Sequence, residues 1–241
     1  MDIESVKAMI EVEKQHPWYQ ARFNFVKVLL ESKYADNLKI LDFGCGSGGV
    51  LDKCIRMGFL NVKGVDTSID CIESVRAKGI SCDLLTSDLP VFSEQYDLIL
   101  CLDVLEHLDN DLLYLNIFKN ALSQKGKLLI TVPAHPFLWS PHDVFNHHFR
   151  RYSRKSFINL IEESGLHLEN IRYWNSTLFP IFLVIRPLSR FLRRNGSSEF
   201  ALPPKILRSL LLFLLSFEAK SEIMGVIPGV SLIAVLSKTI K

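Results

Sequence analysis

The stretch KILDFGCGSGG, residues 39–49, decides how this chain folds. A short apolar run carries Asp42 near its end, and four glycines follow at 44, 46, 48 and 49. A strand that enters a helix through a glycine-rich loop lets a cofactor approach the backbone closely. Such a loop alone is a weak signal, because tight turns also use glycine for structural reasons. The surrounding residues must therefore identify the ligand.

Apolar runs alternate with helical patterns from residue 38 onward. The runs are KILDF (39–43), NVKGVD (61–66), ISCDLL (80–85), YDLILCL (96–102) and GKLLITV (126–132). This alternation predicts βαβ units, and hence an α/β, doubly wound, mostly parallel sheet with helices on both faces. Further strands near 166–174 and 230–236 complete a predicted seven-stranded, Rossmann-like sheet.

The chain divides into four predicted segments. They are an N-terminal helical cap (1–37), a cofactor-binding core (38–174), an apolar and basic helical insertion (175–229), and the last strand with the C-terminus (230–241).

Composition excludes several classes of protein. The net charge of +2 implies no general attraction to nucleic acid. Five cysteines without a CxxC pair indicate reduced thiols in a cytoplasmic protein and not a disulfide framework or a zinc site. The charged N-terminal residues do not resemble a secretory signal.

The mean hydropathy of +0.18 is high, and the apolar excess lies in the insertion. Its uninterrupted apolar runs, 178–185 and 210–215, are too short to span a bilayer. Between 176 and 208 the insertion carries six basic residues against Glu199 alone. This pattern favours contact of 177–218 with a membrane surface or a lipid-bearing substrate. A lid over the sheet and a dimer interface are the alternatives.

Two carboxylates indicate which cofactor the loop holds. Asp66 ends the second predicted strand, where a carboxylate can accept hydrogen bonds from ribose hydroxyls. Asp42 would repel the pyrophosphate of a dinucleotide, but it favours the ammonium and sulfonium groups of S-adenosylmethionine. We therefore predict that the cofactor is S-adenosylmethionine, which becomes S-adenosylhomocysteine.

Five motifs follow one another across residues 39–133. They are DFGCGSG (42–48), GVD (64–66), TSDLP (86–90), YDLILCLDVLEHL (96–108) and GKLLITVP (126–133). In this order and spacing the chain resembles the class I S-adenosylmethionine-dependent methyltransferases. The resemblance implies that the 42–48 loop lies under the methionine part of the cofactor and that His107 lies near the methyl-transfer site.

The resemblance also implies the other cofactor contacts. Asp66 would bind ribose, Asp88 with Leu89 would meet the adenine, and Leu102 with Asp103 would line the cofactor beside the acceptor. The loop residues implied are Asp42, Gly44, Cys45, Gly46 and Gly48.

The segment HPWYQARFNF, residues 16–25, is similar to the N-terminal segment of bacterial relatives of the ubiquinone-biosynthesis methyltransferases. This resemblance implies that Arg22 reaches the cofactor carboxylate. The alternative is an amphipathic helix whose aromatic side chains only pack on the domain.

The loop PAHPFLWSPHDVFNHHFRRYS, residues 133–153, follows the fifth strand on the side where an acceptor is expected. A hydroxyl acceptor needs a general base, for which histidine is best suited. We predict that His142 or His147 is this base and that Asp143 orients it. The residues predicted to bind the acceptor are His135, His148, Arg150, Arg151 and Tyr152. No metal site is predicted, because adjacent His147 and His148 cannot easily face one ion.

The sequence thus predicts methyl transfer, most readily to oxygen, on a small-molecule, glycan or lipid-linked acceptor. A nicotinamide-dependent oxidoreductase fits three of the glycines and Asp66, but Asp42 argues against it. A non-catalytic subunit with a methyltransferase fold is a further alternative.

Overall fold

The structure is a computed structural model that describes residues 12, 15–33, 37–86, 90, 92–191, 203–221 and 224–238. Its seven strands are β1 (Ile40–Phe43), β2 (Val62–Asp66), β3 (Ser81–Leu84), β4 (Tyr96–Leu102), β5 (Leu122–Pro133), β6 (Leu166–Trp174) and β7 (Ser231–Lys238). Its α-helices are α1 (Pro17–Lys33), α2 (Gly49–Arg56), α3 (Ile69–Arg76), α4 (Asp111–Ala121), α5 (Pro141–Phe145), α6 (Arg154–Ser164), α7 (Phe179–Phe191) and α8 (Lys205–Lys220).

The strands form one sheet in the order β3-β2-β1-β4-β5-β7-β6. Neighbouring strands are parallel from β3 to β5, whereas β7 runs antiparallel to both β5 and β6. The predicted doubly wound, mostly parallel sheet is therefore confirmed. All four residues of β1 are buried, as expected for a strand that helices cover on both faces.

Two apolar cores lie on opposite faces of the sheet. On one face, α1, α2, α3 and α8 pack through residues such as Phe25, Leu51 and Leu215. On the other, α4 and α6 pack through Phe118 and Phe157. Ser153 caps α6, since its Oγ accepts a hydrogen bond from Ser156 N at 3.0 Å, and Gly165 ends the helix with φ 69°.

The insertion adds α7 and α8 between β6 and β7, and α8 packs against α1. Trp174 Nε1 donates to the carbonyl oxygen of Leu215 at 3.1 Å, which ties β6 to α8. Glu218 of α8 accepts hydrogen bonds from the backbone N–H groups of Ser176 and Thr177, each at 2.8 Å. Within the described residues, no helix combines the length and apolar character needed to cross a membrane.

Candidate active site

A cavity of about 730 Å³ opens at the carboxyl ends of β1, β4 and β5. The glycine loop, the end of β4 and the loop after β5 form its base and sides, and residues of α1, α7 and α8 cover it. This is the edge at which doubly wound sheets bind ligands, because the loops of neighbouring parallel strands meet there.

The glycine loop brings backbone into the cavity where side chains would not fit. Gly44 has φ +74°, and a Cβ there would lie 2.4 Å from Cγ2 of Val104. Gly48 has φ +78°, and a Cβ there would lie 2.8 Å from Cγ2 of Val75. These two glycines are therefore required by the fold of the loop. Gly44 lines the cavity, whereas Gly48 is not among the lining residues. Cys45 and Gly46 also line the cavity.

Asp66 links the glycine loop to β2. Its Oδ2 accepts a hydrogen bond from Gly46 N at 2.8 Å and its Oδ1 accepts one from Ser68 N at 2.9 Å. Ser68, not Asp66, caps α3, since its side chain accepts from Cys71 N. Each carboxylate oxygen retains acceptor capacity for a ribose hydroxyl.

Two aspartates and Arg22 lie in the cavity close to the glycine loop. Asp42 is buried, and Asp103, at φ 57°, follows β4. Asp103 Oδ2 accepts hydrogen bonds from Arg22 Nη1 at 2.6 Å and from Thr131 Oγ1 at 2.7 Å. Arg22 Nη1 also donates to the carbonyl oxygen of Leu102 at 3.0 Å.

These groups fit S-adenosylmethionine. The two aspartates suit its cationic groups, and the buried Nε of Arg22, which has no hydrogen-bond partner among the described residues, can donate to its carboxylate. The roles assigned to Arg22 and Asp66 stay predictions. Asp88 and Leu89 lie outside the described residues.

Asp143 is the centre of a buried ionic cluster in the loop after β5. It is fully buried and accepts hydrogen bonds from Arg151 Nε at 2.7 Å, from His148 Nδ1 at 3.0 Å and from Arg186 Nη1 at 3.1 Å. Ser140 adds its backbone N–H at 2.8 Å and its hydroxyl at 3.1 Å. Although burial favours the neutral carboxyl, the hydrogen bond from His148 and the charge of Arg186 lower the pKa of Asp143.

Asp143 is hydrogen-bonded to His148, whereas the sequence predicted that it orients His142 or His147. Which histidine acts as the base stays a prediction. His142 is buried in the cavity wall, where its ring lies 3.0 Å from Nδ2 of Asn146. His147 is exposed and is not among the residues that line the cavity. The backbone explains the difference, since φ of 56° at His147 turns the chain and directs the adjacent side chains to different sides.

His148 shares the cavity with two titratable neighbours. Its ring meets that of His107 edge to face at 4.6 Å between centroids. Although His107 is an exposed residue, desolvation of its ring and the adjacent His148 lower its pKa to about 4, so that His107 is neutral at physiological pH. Burial and the charge of Asp103 raise the pKa of Glu106 well above its usual value. Ligand atoms of Glu106, His107 and His148 lie within 4.8 Å of one another, so these three could hold a divalent cation.

The remaining loop residues predicted to bind the acceptor divide into two groups. Arg151 and His148 line the cavity. Arg150 pairs instead with Asp111 at 2.7 Å, and the hydroxyl of Tyr152 donates to the same carboxylate at 2.9 Å. The ring of His135 stacks on that of Tyr173 at 5.3 Å between centroids. These three residues are not among those that line the cavity.

The residues that line the cavity but were not predicted as site residues include Glu106, Asn175 and Arg186. Arg186 was grouped with basic residues for a membrane surface, but its side chain is buried against Asp143. Glu106 stands beside His107 in DVLEHL, so the motif offered a signal for it. Asn175 follows β6 far along the chain, and no local pattern marks it.

Comparison with known proteins agrees with this geometry. A family model described as a methyltransferase domain matches residues 18–171. Ubiquinone biosynthesis O-methyltransferase of Rickettsia bellii is 27% identical over 174 residues, covering 63% of this chain and 71% of that protein. An uncharacterized protein of Methanocaldococcus jannaschii is 30% identical over 169 residues, covering 68% of this chain and 71% of its own length.

Solved structures share the fold. An S-adenosylmethionine-dependent methyltransferase from Mesorhizobium loti superimposes with a TM-score of 0.61 at 14% identity, covering 90% of this chain and 97% of its own. Coclaurine N-methyltransferase, bound to N-methylheliamine and S-adenosylhomocysteine, gives 0.59 at 17% identity, covering 90% and 70%. At these identities the similarity concerns the fold.

Proposed function

This chain belongs to the methyltransferase domain family of S-adenosylmethionine-dependent methyltransferases. We propose that it transfers a methyl group to a hydroxyl oxygen of an acceptor with an apolar body. His148 is the general base, and Asp143 orients it. The family assignment argues against the alternative of a nicotinamide-dependent oxidoreductase.

The observation that carries this proposal is the hydrogen bond of 3.0 Å between Asp143 and Nδ1 of His148. The carboxylate favours the tautomer with hydrogen on Nδ1, so the lone pair of Nε2 is available to accept a proton. His148 lines the cavity together with Asp103 and His107, at the end of β4. An orienting carboxylate, an imidazole and an open cavity are what proton removal from a hydroxyl requires.

The other residues hold the reactants and exclude water. When bound, S-adenosylmethionine supplies a methyl group on a positively charged sulfur. Asp42 and Asp103 provide negative charge for that end of the cofactor, while Arg22 of α1 lies across Asp103. Trp18 packs on Arg22, with the guanidinium carbon 4.8 Å from the ring centroid, and so adds to the cover.

The acceptor half of the cavity supports an acceptor that is partly apolar. Leu178 and Phe182 come from the α7 side, and Leu211 and Leu215 come from α8. Apolar walls with few polar groups are typical of sites that bind apolar ligands in a fixed orientation. A relative named for O-methylation in ubiquinone biosynthesis agrees with an oxygen acceptor on such a body.

The outer faces of α7 and α8 support contact with a membrane surface. Twelve of the twenty large hydrophobic side chains that are exposed in the described residues lie between 181 and 227. Ile206 is 92% exposed and Phe213 is 67% exposed. We propose that this face rests on an anionic membrane, so that a lipid-linked acceptor enters between the two helices.

The reaction is tested with methyl-labelled S-adenosylmethionine, purified protein and a whole-cell extract that is then partitioned between organic and aqueous phases. Label in the organic phase is expected, and His148→Asn should lower its rate of appearance by about 10²–10⁴. Label only in the aqueous phase would contradict a lipid-linked acceptor and indicate a soluble one. Cofactor binding without any transfer would indicate a non-catalytic subunit. Loss of transfer on addition of a chelator would contradict the role of His148 as the base. It would indicate that a cation held at Glu106, His107 and His148 is needed instead.

The membrane contact has a separate test, which is sedimentation with vesicles of phosphatidylcholine and phosphatidylserine at low salt. The wild type should co-sediment, and Ile206→Glu with Phe213→Glu should remain in solution. Leu60→Glu is the matched control, since Leu60 is 76% exposed but lies outside the insertion. A wild type that stays in solution would contradict the proposal and favour a lid or a dimer interface.

A further inference from the structure

We propose that Asn175 is a specificity-determining residue of the acceptor site, whose side-chain amide binds a second polar group of the acceptor. That group is a hydroxyl or an N–H other than the oxygen that receives the methyl group. The inference rests on the proposed function, because it names a feature of the acceptor that the same cavity takes.

The conformation of Asn175 is the first observation. Its backbone φ is 64°, in the left-handed region, although the residue is not glycine. Asparagine tolerates this region when its short side chain forms a hydrogen bond nearby. Here the side chain is buried, and its Oδ1 has no hydrogen-bond partner among the described residues. Local hydrogen bonding of Oδ1 therefore does not explain why asparagine occupies this position.

The surroundings hold Asn175 in place. Glu218 fixes the following two backbone N–H groups, and Val230 N donates to the carbonyl oxygen of Asn175 at 3.4 Å. Gly229 packs so closely that a Cβ on it would lie 2.2 Å from the carbonyl oxygen of Trp174. A strained residue that its neighbours fix this firmly is a frequent feature of binding sites.

The location of Asn175 indicates what it binds. Asn175 lines the cavity, as do the apolar residues Leu178, Phe182 and Val230 and the polar residue Ser231, so its amide is one of the polar groups in a partly apolar wall. A buried hydrogen-bond acceptor without a partner destabilises the unliganded protein. A ligand that donates a hydrogen bond to it removes this cost on binding. A site of this kind selects an apolar molecule with an additional hydroxyl over the same molecule without it. The expected acceptors are therefore apolar bodies with at least two polar groups.

The test compares hexylresorcinol with hexylphenol, which differ by one hydroxyl, as ligands of the protein saturated with S-adenosylhomocysteine. Dissociation constants are measured by calorimetry. We expect the wild type to bind hexylresorcinol about tenfold more tightly, the typical effect of one added hydrogen bond. Asn175→Gly should bind both probes equally, because glycine retains the left-handed backbone and removes only the amide. Asn170→Gly is the control, at an exposed position of β6, the strand that Asn175 follows. It should keep the wild-type preference.

Equal affinity of the wild type for the two probes, or no affinity for either, would overturn the inference. An unchanged preference in Asn175→Gly would do the same. The assay involves no turnover, so its outcome separates this inference from the proposed reaction. A preference for hexylresorcinol that Asn175→Gly removes, in a protein that transfers no label, would leave the role of Asn175 intact and contradict the reaction alone.

Discussion

The two halves of the cavity are built in different ways. The cofactor half consists of backbone from one short loop, residues 42–48, with carboxylates that end neighbouring strands. The acceptor half consists of side chains that come from the loop after β5, from the end of β6 and from α7 and α8. The backbone of the first comes from one short stretch of sequence, whereas every part of the second depends on the packing of distant segments.

This difference determines how each half tolerates substitution. In the cofactor half, Gly44 and Gly48 pack against Val104 and Val75 with no room for a Cβ, so an added methyl group should displace the loop. In the acceptor half, geometry depends on one buried carboxylate, so the loss of a single charge should disturb several residues at once.

Asp143→Asn should have the largest effect. The substitution leaves Arg151 and Arg186 with buried charge and removes the group that orients His148. We expect a loss of about 3–5 kcal/mol in the free energy of unfolding, seen as a lower Tm. Turnover in the labelled-methyl assay should fall by about 10³–10⁴ at a temperature where the variant is folded. Asp109→Asn, at an exposed position, is the control. Wild-type stability in Asp143→Asn would show that the cluster does not hold this half together.

His148→Asn separates chemistry from folding. Turnover should fall by about 10²–10⁴, the usual contribution of a general base, while the affinity for S-adenosylhomocysteine changes less than about twofold. His167→Asn, on the exposed part of β6, should match the wild type in both measurements. His142→Asn and His147→Asn belong in the same series. A larger loss of turnover in either than in His148→Asn would restore the base that the sequence predicted.

Gly44→Ala tests the cofactor half. The new Cβ would lie 2.4 Å from Val104 in a left-handed backbone, so the loop must move. We expect S-adenosylhomocysteine to bind about 100-fold more weakly by calorimetry, which corresponds to about 2.7 kcal/mol. Gly58→Ala has the same kind of backbone, with φ +97°, but nothing lies within 4 Å of its Cβ. Wild-type affinity in the Gly44 variant would mean that the loop does not need its close packing.

The smallest effect concerns pH. Desolvation of its ring at the cavity lowers the pKa of His107 to about 4 in the folded protein, so the unfolded chain takes up its proton at a higher pH than the folded protein does. His107 therefore contributes a loss of stability as pH falls from about 6.5 to about 4. Thermal unfolding of the wild type and His107→Asn should show a difference in Tm that changes across this range. A difference that stays constant would show that His107 titrates normally in the folded protein.

Prediction from sequence succeeded where the signal was periodic or local. Strand β4 is an example, because the apolar run predicted at 96–102 forms the strand over the same residues. The choice of the histidine that Asp143 orients failed for a physical reason. In a loop, the direction of adjacent side chains depends on backbone angles such as the left-handed φ of His147, and composition does not reveal these angles.

The sequence by itself determined the sheet, the glycine loop and the cofactor class, because each of these follows from hydrophobic alternation, glycine spacing or the sign of a charge beside a strand. The tertiary structure alone decided that Arg186 turns inward to Asp143, that His148 faces the cavity and that Asn175 enters its wall. These positions depend on how α7 and α8 fold back over the sheet, and contacts between residues 40 or more positions apart leave no periodic pattern in the chain.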